Sequence, residues 1–128
     1  MCFILGLAVD RARHVLYLPE TLSDWVRQVN LTNGIISSFA GTGLSNPFPG
    51  LGQRGDGGPA TGAWLSNIPT DIAVDGAGNV YIAEGCRIRK VDIATGIIHT
   101  IAGKSDPHTG GMSDICLSAG DGGPASEA

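Results

Sequence analysis

A long internal repeat constrains this chain more than any other feature of its sequence. Residues 69–103 contain the motifs IAVD, YI, IRKV, ATGII and IAG, and residues 7–41 contain LAVD, YL, VRQV, TNGII and FAG in the same order. A further motif, GDGGPA, occurs before the second copy at residues 55–60 and again at residues 120–125. Repetition over tens of residues is typical of proteins that stack one structural unit several times. We therefore expect each copy to form one such unit.

Four short strands are expected in each copy, because short apolar segments alternate with turn-forming residues. The separators in the second copy, DGAGN, EGC and IATG, supply the Gly, Asn or Asp that tight turns use. No long window has the apolar period of a helix, and strict alternation of apolar and polar residues is absent from the third strand. The pattern predicts an all-β chain of antiparallel meanders, with strands over residues 4–9, 14–18, 25–30 and 35–40 and over residues 71–74, 80–83, 87–92 and 97–102.

A four-stranded meander that recurs with a glycine-rich connector is typical of a β-propeller blade. The series GDGGPA, A.L..P, AVD..GN.YIA, RIRKVD, TGII and AG resembles the NHL repeat, a β-propeller family found in secreted proteins, sensor ectodomains and large scaffolds. The match is nearly continuous over residues 55–103. It is looser over residues 5–41, where DRARH replaces a Gly-Asn turn and residues 19–24 are inserted. The resemblance implies about two blades of an incomplete ring.

The repeat also divides the chain. We expect a first blade over residues 1–41, a Gly/Pro-rich connector over residues 42–69, a second blade over residues 70–103 and a connector into a next blade over residues 104–128. Propellers close with roughly four to eight blades. The chain is therefore expected to be a piece of a longer protein or, as the alternative, to close a ring with other copies of itself. Its first partners are further blades or other protein subunits.

The long segments of this repeat all fall at one end of the predicted blades. The first-to-second and third-to-fourth turns are short, whereas the second-to-third turn of the first blade and both connectors are expanded. Insertions gathered on one face of a repeat protein often mark its binding face; the alternative is that the connectors are plain spacers. The candidate binding-face residues are Pro19, Glu20, Phe48, Arg54, Asp56, His108 and Asp121.

Composition and charge exclude several kinds of partner. The chain has 8 Lys and Arg against 12 Asp and Glu, a net charge of -4, which gives no basis for binding a nucleic acid backbone. The basic cluster Arg87, Arg89 and Lys90 is explained most simply as the solvated face of a strand. No segment approaches the roughly 18 apolar residues of a membrane span. We expect a soluble protein without membrane insertion.

The sequence offers no reaction, cofactor or metal site of its own. GDGGPA lacks the Lys and Ser or Thr of a phosphate-binding loop, and DGAGN lacks the ligand series of a calcium loop. The histidines His14, His99 and His108 have no ligand spacing, and no GxSxG motif is present. We predict a non-catalytic interaction or structural scaffold. Some propellers that resemble this one are lyases or hydrolases, so the alternative is an enzyme whose catalytic residues lie outside this chain.

Two features concern covalent modification. Asn30-Leu31-Thr32 is a glycosylation sequon in a short turn. Cys2, Cys86 and Cys116 allow at most one internal disulfide, for which we consider Cys86 with Cys116; buried free thiols are the alternative. Both features agree with the extracellular or secretory location that the resemblance implies.

Overall fold

The computed structural model describes residues 5–21, 23–44, 55–65, 69–103 and 121–127. These residues form two antiparallel sheets of four strands, and in each sheet the strands follow one another in chain order. The all-β class and the meander topology predicted from the repeat are therefore confirmed. The first sheet comprises β1 (Ala8–Asp10), β2 (Val15–Glu20), β3 (Trp25–Asn30) and β4 (Ile36–Ala40), and the second β5 (Pro69–Val74), β6 (Val80–Glu84), β7 (Arg87–Val91) and β8 (Ile98–Ala102). Single 3-10 turns lie at Ala60–Gly62 and Ala125–Glu127.

The two sheets share the same register down to a single irregularity. Arg27 stands opposite Ser38 in the first sheet, and Arg89 stands opposite Thr100 in the second. In both sheets the register shifts at the bond before that arginine, which is the position of a β-bulge. The two blades therefore repeat in structure as well as in sequence. Residues at the same register position in the two sheets can be compared directly.

The first strand is shorter than the sequence predicts. Leu5 and Leu7 lie outside any strand and are 60% and 63% exposed, and β1 begins only at Ala8. Since Ala8 stands opposite Tyr17, the same register continued would place Leu7 opposite Leu18 and then Gly6 opposite Pro19. Proline has no N–H to donate and glycine no side chain to pack, so pairing ends there.

The core is concentrated in the second sheet and the connector that leads to it. Tyr17 and Phe39 meet edge to face in the first sheet, with ring centroids 4.6 Å apart. Residues 55–65 of the connector contribute Ala60, Ala63 and Leu65 to the same cluster, so this part of the connector is packed against the core. The fully or almost fully buried apolar residues are Tyr17, Val26, Ala40, Ala60, Ala63, Leu65, Ile72, Val80, Ile82, Val91 and Ile98.

The short turns are closed by their own side chains. Asn30 Oδ1 accepts a hydrogen bond from Thr32 N at 2.9 Å, and the equivalent Asp92 Oδ1 accepts one from Ala94 N at 3.0 Å. The carboxylate of Asp75 accepts bonds from the backbone and side-chain amides of Asn79. The side-chain bond from Asn79 is the largest influence that lowers the pKa of Asp75 to about 2. DGAGN is therefore a tight turn whose carboxylate is already occupied.

Candidate functional site

A buried group of charged residues ties the connector to the second sheet. Arg89 is completely buried, and its guanidinium forms ion pairs with Asp56 and, at 3.4 Å, with Glu84. Arg89 Nη1 also donates to the carbonyl oxygen of Trp64 at 3.0 Å. Asp56 and Trp64 belong to the connector, whereas Glu84 ends β6. Arg89 therefore binds the connector at two points, Asp56 and Trp64, and holds both against the second sheet.

The prediction that Arg87, Arg89 and Lys90 form a solvated face is wrong. On β7 the side chains of Arg89 and Val91 point into the protein, and Ile88 is 42% exposed. The side chain of Arg87 is only 8% exposed and approaches Glu84 at 3.8 Å. The inward arginines are stable there because buried carboxylates accompany them. Because Arg89 points inward and Ile88 is exposed, the third strand lacks a regular alternation of apolar and polar residues.

Asp56, the acidic residue of GDGGPA, completes the group. Its Oδ2 accepts a hydrogen bond from Thr100 N on β8 at 2.9 Å, while Oδ1 faces Arg89. Burial raises the pKa of Asp56, but the hydrogen bonds from Thr100 and the positive charge of Arg89 outweigh it and leave the pKa below its ordinary value. GDGGPA is therefore a structural segment, and its aspartate is bound to the protein itself.

A second carboxylate lies buried where the two blades meet. Asp24, in the turn between β2 and β3, is 2% exposed, and its Oδ1 accepts no hydrogen bond from the described residues. Burial raises the pKa of Asp24, and the negative charge of Glu84 on the neighbouring blade raises it further. Asp24 also has a positive φ of 53°, a conformation that Asp and Asn tolerate better than other side chains. An aspartate at this position suits the positive φ of the backbone, but its negative charge is unfavourable in a buried site near Glu84.

Replacing Asp24 with Asn should therefore stabilise the fold at neutral pH. A raised carboxyl pKa means that the folded state binds the proton more tightly than the unfolded state, so stability falls as pH rises from 3.8 through the folded pKa. Asp24→Asn keeps the backbone preference and removes this charge. We expect urea unfolding to show a higher unfolding free energy for the variant at about pH 7 and a smaller difference at about pH 4.

Asp10→Asn is the matched control, since Asp10 is also buried but pairs with Arg13 at 3.0 Å. Burial raises the pKa of Asp10, yet the hydrogen bonds and charge of Arg13 bring it below its ordinary value. This control should therefore lose stability at neutral pH. Equal effects of the two substitutions would contradict the assignment of Asp24 as an uncompensated charge.

The structure places the other predicted binding-face residues unevenly. Pro19 is fully buried and Glu20 half-buried, and both extend β2 instead of forming a loop. Asp121 is exposed and is the aspartate of the second GDGGPA motif. Phe48, Arg54 and His108 lie outside the described residues. Sequence reasoning placed Arg89 on the solvent side and did not find Glu84. The one signal for an inward Arg89 was the broken alternation of the third strand.

The predicted modification sites are partly described. Asn30 is exposed at the turn between β3 and β4, at the end of the blade opposite the connectors. Cys86 is disulfide-bonded, and the other cysteines of the chain, Cys2 and Cys116, lie outside the described residues. Within the described ranges, no group of three or more His, Cys, Asp or Glu side chains is arranged to hold a metal ion.

The fold and the connector site define the class of protein. Repeated four-stranded antiparallel blades, joined by a GDGGPA segment that packs on the following blade, form part of a β-propeller of the NHL type. The model of one family, the Teneurin NHL domain, matches residues 5–119. The chain therefore belongs to the Teneurin NHL domain family.

Several curated teneurins are similar to this chain over most of its length. Teneurin-3 of Danio rerio is 52% identical over 107 residues, and Teneurin-4 of Homo sapiens is 48% identical over 107 residues. Teneurin-4 of Mus musculus is 38% identical over the same number of residues. Each alignment covers 78% of this chain but only 4% of the relative. The chain thus corresponds to a small part of these proteins.

Among solved structures, a structural genomics protein of unknown function from Bacteroides thetaiotaomicron is similar to this chain. The alignment covers 86% of this chain and 40% of the bacterial one. The TM-score is 0.35 and the sequence identity 17%.

The helices in the described part of the chain are 3-10 turns, and none has the length and apolarity to span a membrane.

Proposed function

We propose that this chain is a non-catalytic protein-interaction module within a longer extracellular protein. The observation that carries the proposal is its membership of the Teneurin NHL domain family. The buried charged groups of Arg89, Asp56 and Glu84 bind one another inside the protein. They therefore hold the connector in place and leave no free nucleophile or base there.

We infer that the connector end of the blades is the binding face. The opposite end consists of short turns whose polar side chains are used internally, as Asn30, Asp75 and Asp92 show. The sequence predicts that the long segments gather at the connector end, and Arg89 binds Asp56 and Trp64 of the connector to the second sheet. A rigid base under long segments supports recognition because less conformational entropy is lost on binding.

The covalent features support the extracellular part of the proposal. A disulfide at Cys86 requires an oxidising environment, and we propose Cys116 as its partner. A glycan on the exposed Asn30 would project from the short-turn end and leave the connector end accessible. Non-reducing peptide mapping with and without glycosidase tests both: a Cys86 peptide linked to Cys2, or an unmodified Asn30 in the secreted protein, would contradict them.

The binding face can be tested in the full-length protein displayed on cells, with cell aggregation as the readout. The triple substitution Phe48→Ser, Arg54→Glu and His108→Ala changes connector residues and leaves the residues of the ionic group, Arg89, Asp56 and Glu84, unaltered. We expect aggregation to fall by about tenfold or more, as truncating interface anchors commonly does.

A short-turn variant, Arg11→Ala with Ala94→Ser, changes two exposed side chains at the other end and provides the matched control. It should leave aggregation unchanged, and both variants should reach the cell surface in wild-type amounts. Loss of aggregation in the short-turn variant, or in neither variant, would show that the connector end is not the binding face.

A further inference from the structure

The turn between β3 and β4 carries an asparagine followed by a glycine. Of the five asparagines in the chain, only Asn33 precedes a glycine. Asn33 and Gly34 are both exposed, and a Cβ added at Gly34 would meet no atom within 4 Å. The peptide bond between them is therefore open to solvent, and no side chain shields the nitrogen of Gly34.

The turn holds the side chain of Asn33 over the peptide bond that follows it. Ile35 N donates to Asn33 Oδ1 at 3.0 Å, so the carboxamide folds back across the amide of Gly34, as in an Asx turn. Gly34 N itself donates to Asn30 O at 2.8 Å. This bond lies in an exposed turn, where local opening costs little free energy. Each opening therefore releases a peptide nitrogen beside the carboxamide carbon.

The second blade closes the equivalent turn with a side chain of different chemistry. Ile97 N donates to Thr95 Oγ1 at 3.3 Å, and Gly96 has φ 71° where Gly34 has φ 75°. Thr95 thus takes the place of Asn33 and makes the equivalent bond through a hydroxyl group. A carboxamide is therefore not needed to close this turn, and its reactivity can be separated from its structural task.

Asn79 and Asp75 in the second blade are less suited to the same chemistry. Asn79 precedes the β-branched Val80, and its side chain donates to Asp75 Oδ2 at 2.9 Å and accepts from Ile93 N at 3.1 Å. Asp75 precedes a glycine, but its pKa is about 2, chiefly because Asn79 donates to it. It is a carboxylate at neutral pH, and a peptide nitrogen attacks a carboxylate far less readily than a carboxamide.

We propose that Asn33 is a site of spontaneous deamidation in the folded protein. Gly34 N loses its proton and attacks Asn33 Cγ, so that a cyclic imide closes as the bond from Cγ to the side-chain nitrogen breaks and ammonia leaves. Water then adds to one of the two imide carbonyl carbons, and the bond from that carbon to Gly34 N breaks. Cleavage at Cγ gives aspartate, and cleavage at the main-chain carbonyl carbon gives isoaspartate. Water is the only co-reactant.

The modification adds one negative charge at the short-turn end of the blade. Leu31 N donates to His14 O at 2.8 Å, so this turn adjoins residues 11–14, which carry two arginines and a histidine. Positive charge in the adjoining turn partly compensates the new carboxylate, and the aspartate product keeps an oxygen for Ile35 N. The modified protein is therefore expected to stay folded. The site lies away from the connector end and does not rest on the binding-face proposal.

Ageing of the purified protein at neutral pH tests the proposal. Isoaspartate is labelled with an isoaspartyl methyltransferase, and fragmentation of the labelled peptide distinguishes residue 33 from Asn30. We expect the folded protein to accumulate label at residue 33, together with the mass gain of replacing the amide –NH2 by –OH. Asn33→Thr is the matched variant because it copies the turn of the second blade. It should lose the label from this peptide and unfold at the same urea concentration as the wild type.

The same ageing in urea decides whether the folded turn permits the reaction. Label at residue 33 in the folded protein as well as in urea supports the proposal. Label that appears only in urea overturns it, because the turn would then protect Asn33. Absence of modification at residue 33 in both conditions, or undiminished label in this peptide of Asn33→Thr, overturns it as well.

Discussion

Arg89→Met should destabilise this chain by about 3–5 kcal/mol, the usual cost of removing one partner from a buried ionic group. Methionine replaces the apolar stem of the arginine but leaves Glu84 and Asp56 without the guanidinium that faces both of them. It also removes the donor to the Trp64 carbonyl, so the connector loses the part of its attachment to the second sheet that Arg89 provides. Urea unfolding followed by tryptophan fluorescence measures the loss.

Arg27→Met is the matched control because Arg27 has the same register in the first sheet. Its guanidinium lies over the Trp25 ring at 5.8 Å and has no ion pair with a described carboxylate. We expect a cost of about 1 kcal/mol or less, mainly from lost packing. Equal losses for the two arginines would mean that the ionic group contributes nothing beyond the repeated strand position.

Gly41→Ala should cost about 2–5 kcal/mol, because a left-handed backbone and a backbone clash act together. Gly41 has φ 95° at the end of β4, and a Cβ there would lie 2.0 Å from the carbonyl oxygen of Asp24. The neighbouring atom belongs to the backbone of the β2–β3 turn, so it cannot rotate away. The shift would also disturb the bond from Gly41 N to Ala60 O. Thermal unfolding of the purified variant measures the effect.

Gly34→Ala separates the two contributions. Gly34 has φ 75°, but a Cβ added there meets no atom within 4 Å. We expect only the conformational cost, about 1 kcal/mol. If Gly34→Ala proved as damaging as Gly41→Ala, the close approach to Asp24 would not be the cause. Gly103→Ala should resemble Gly41→Ala, since its Cβ would lie 1.9 Å from the carbonyl oxygen of Cys86.

The site was less accessible to sequence reasoning than the strands. Hydrophobic periodicity assigns a charged residue on a strand to the solvent side, so Arg89 was placed outside. The carboxylate that makes its burial tolerable, Asp56, is 33 residues away along the chain. Pro19 and Glu20 were assigned to a loop because of composition, whereas pairing with β3 carries both of them into β2. Aspartate is common in turns, so the local sequence around Asp24 does not indicate that the residue will be buried beside the second blade.

By itself, the sequence determined the elements that depend on local chemistry. The repeat set the number of strands in each blade, and the Gly, Asn and Asp residues of turns such as 75–79 set where they reverse, because these turns are closed by bonds within a few residues. Only the tertiary structure decided how distant segments meet. It buried Arg89 against the connector, placed Asp24 near the charge of Glu84, and covered the edge of β8 with the GDGGPA segment. These outcomes depend on desolvation and on partners far apart in the chain, which a local pattern does not encode.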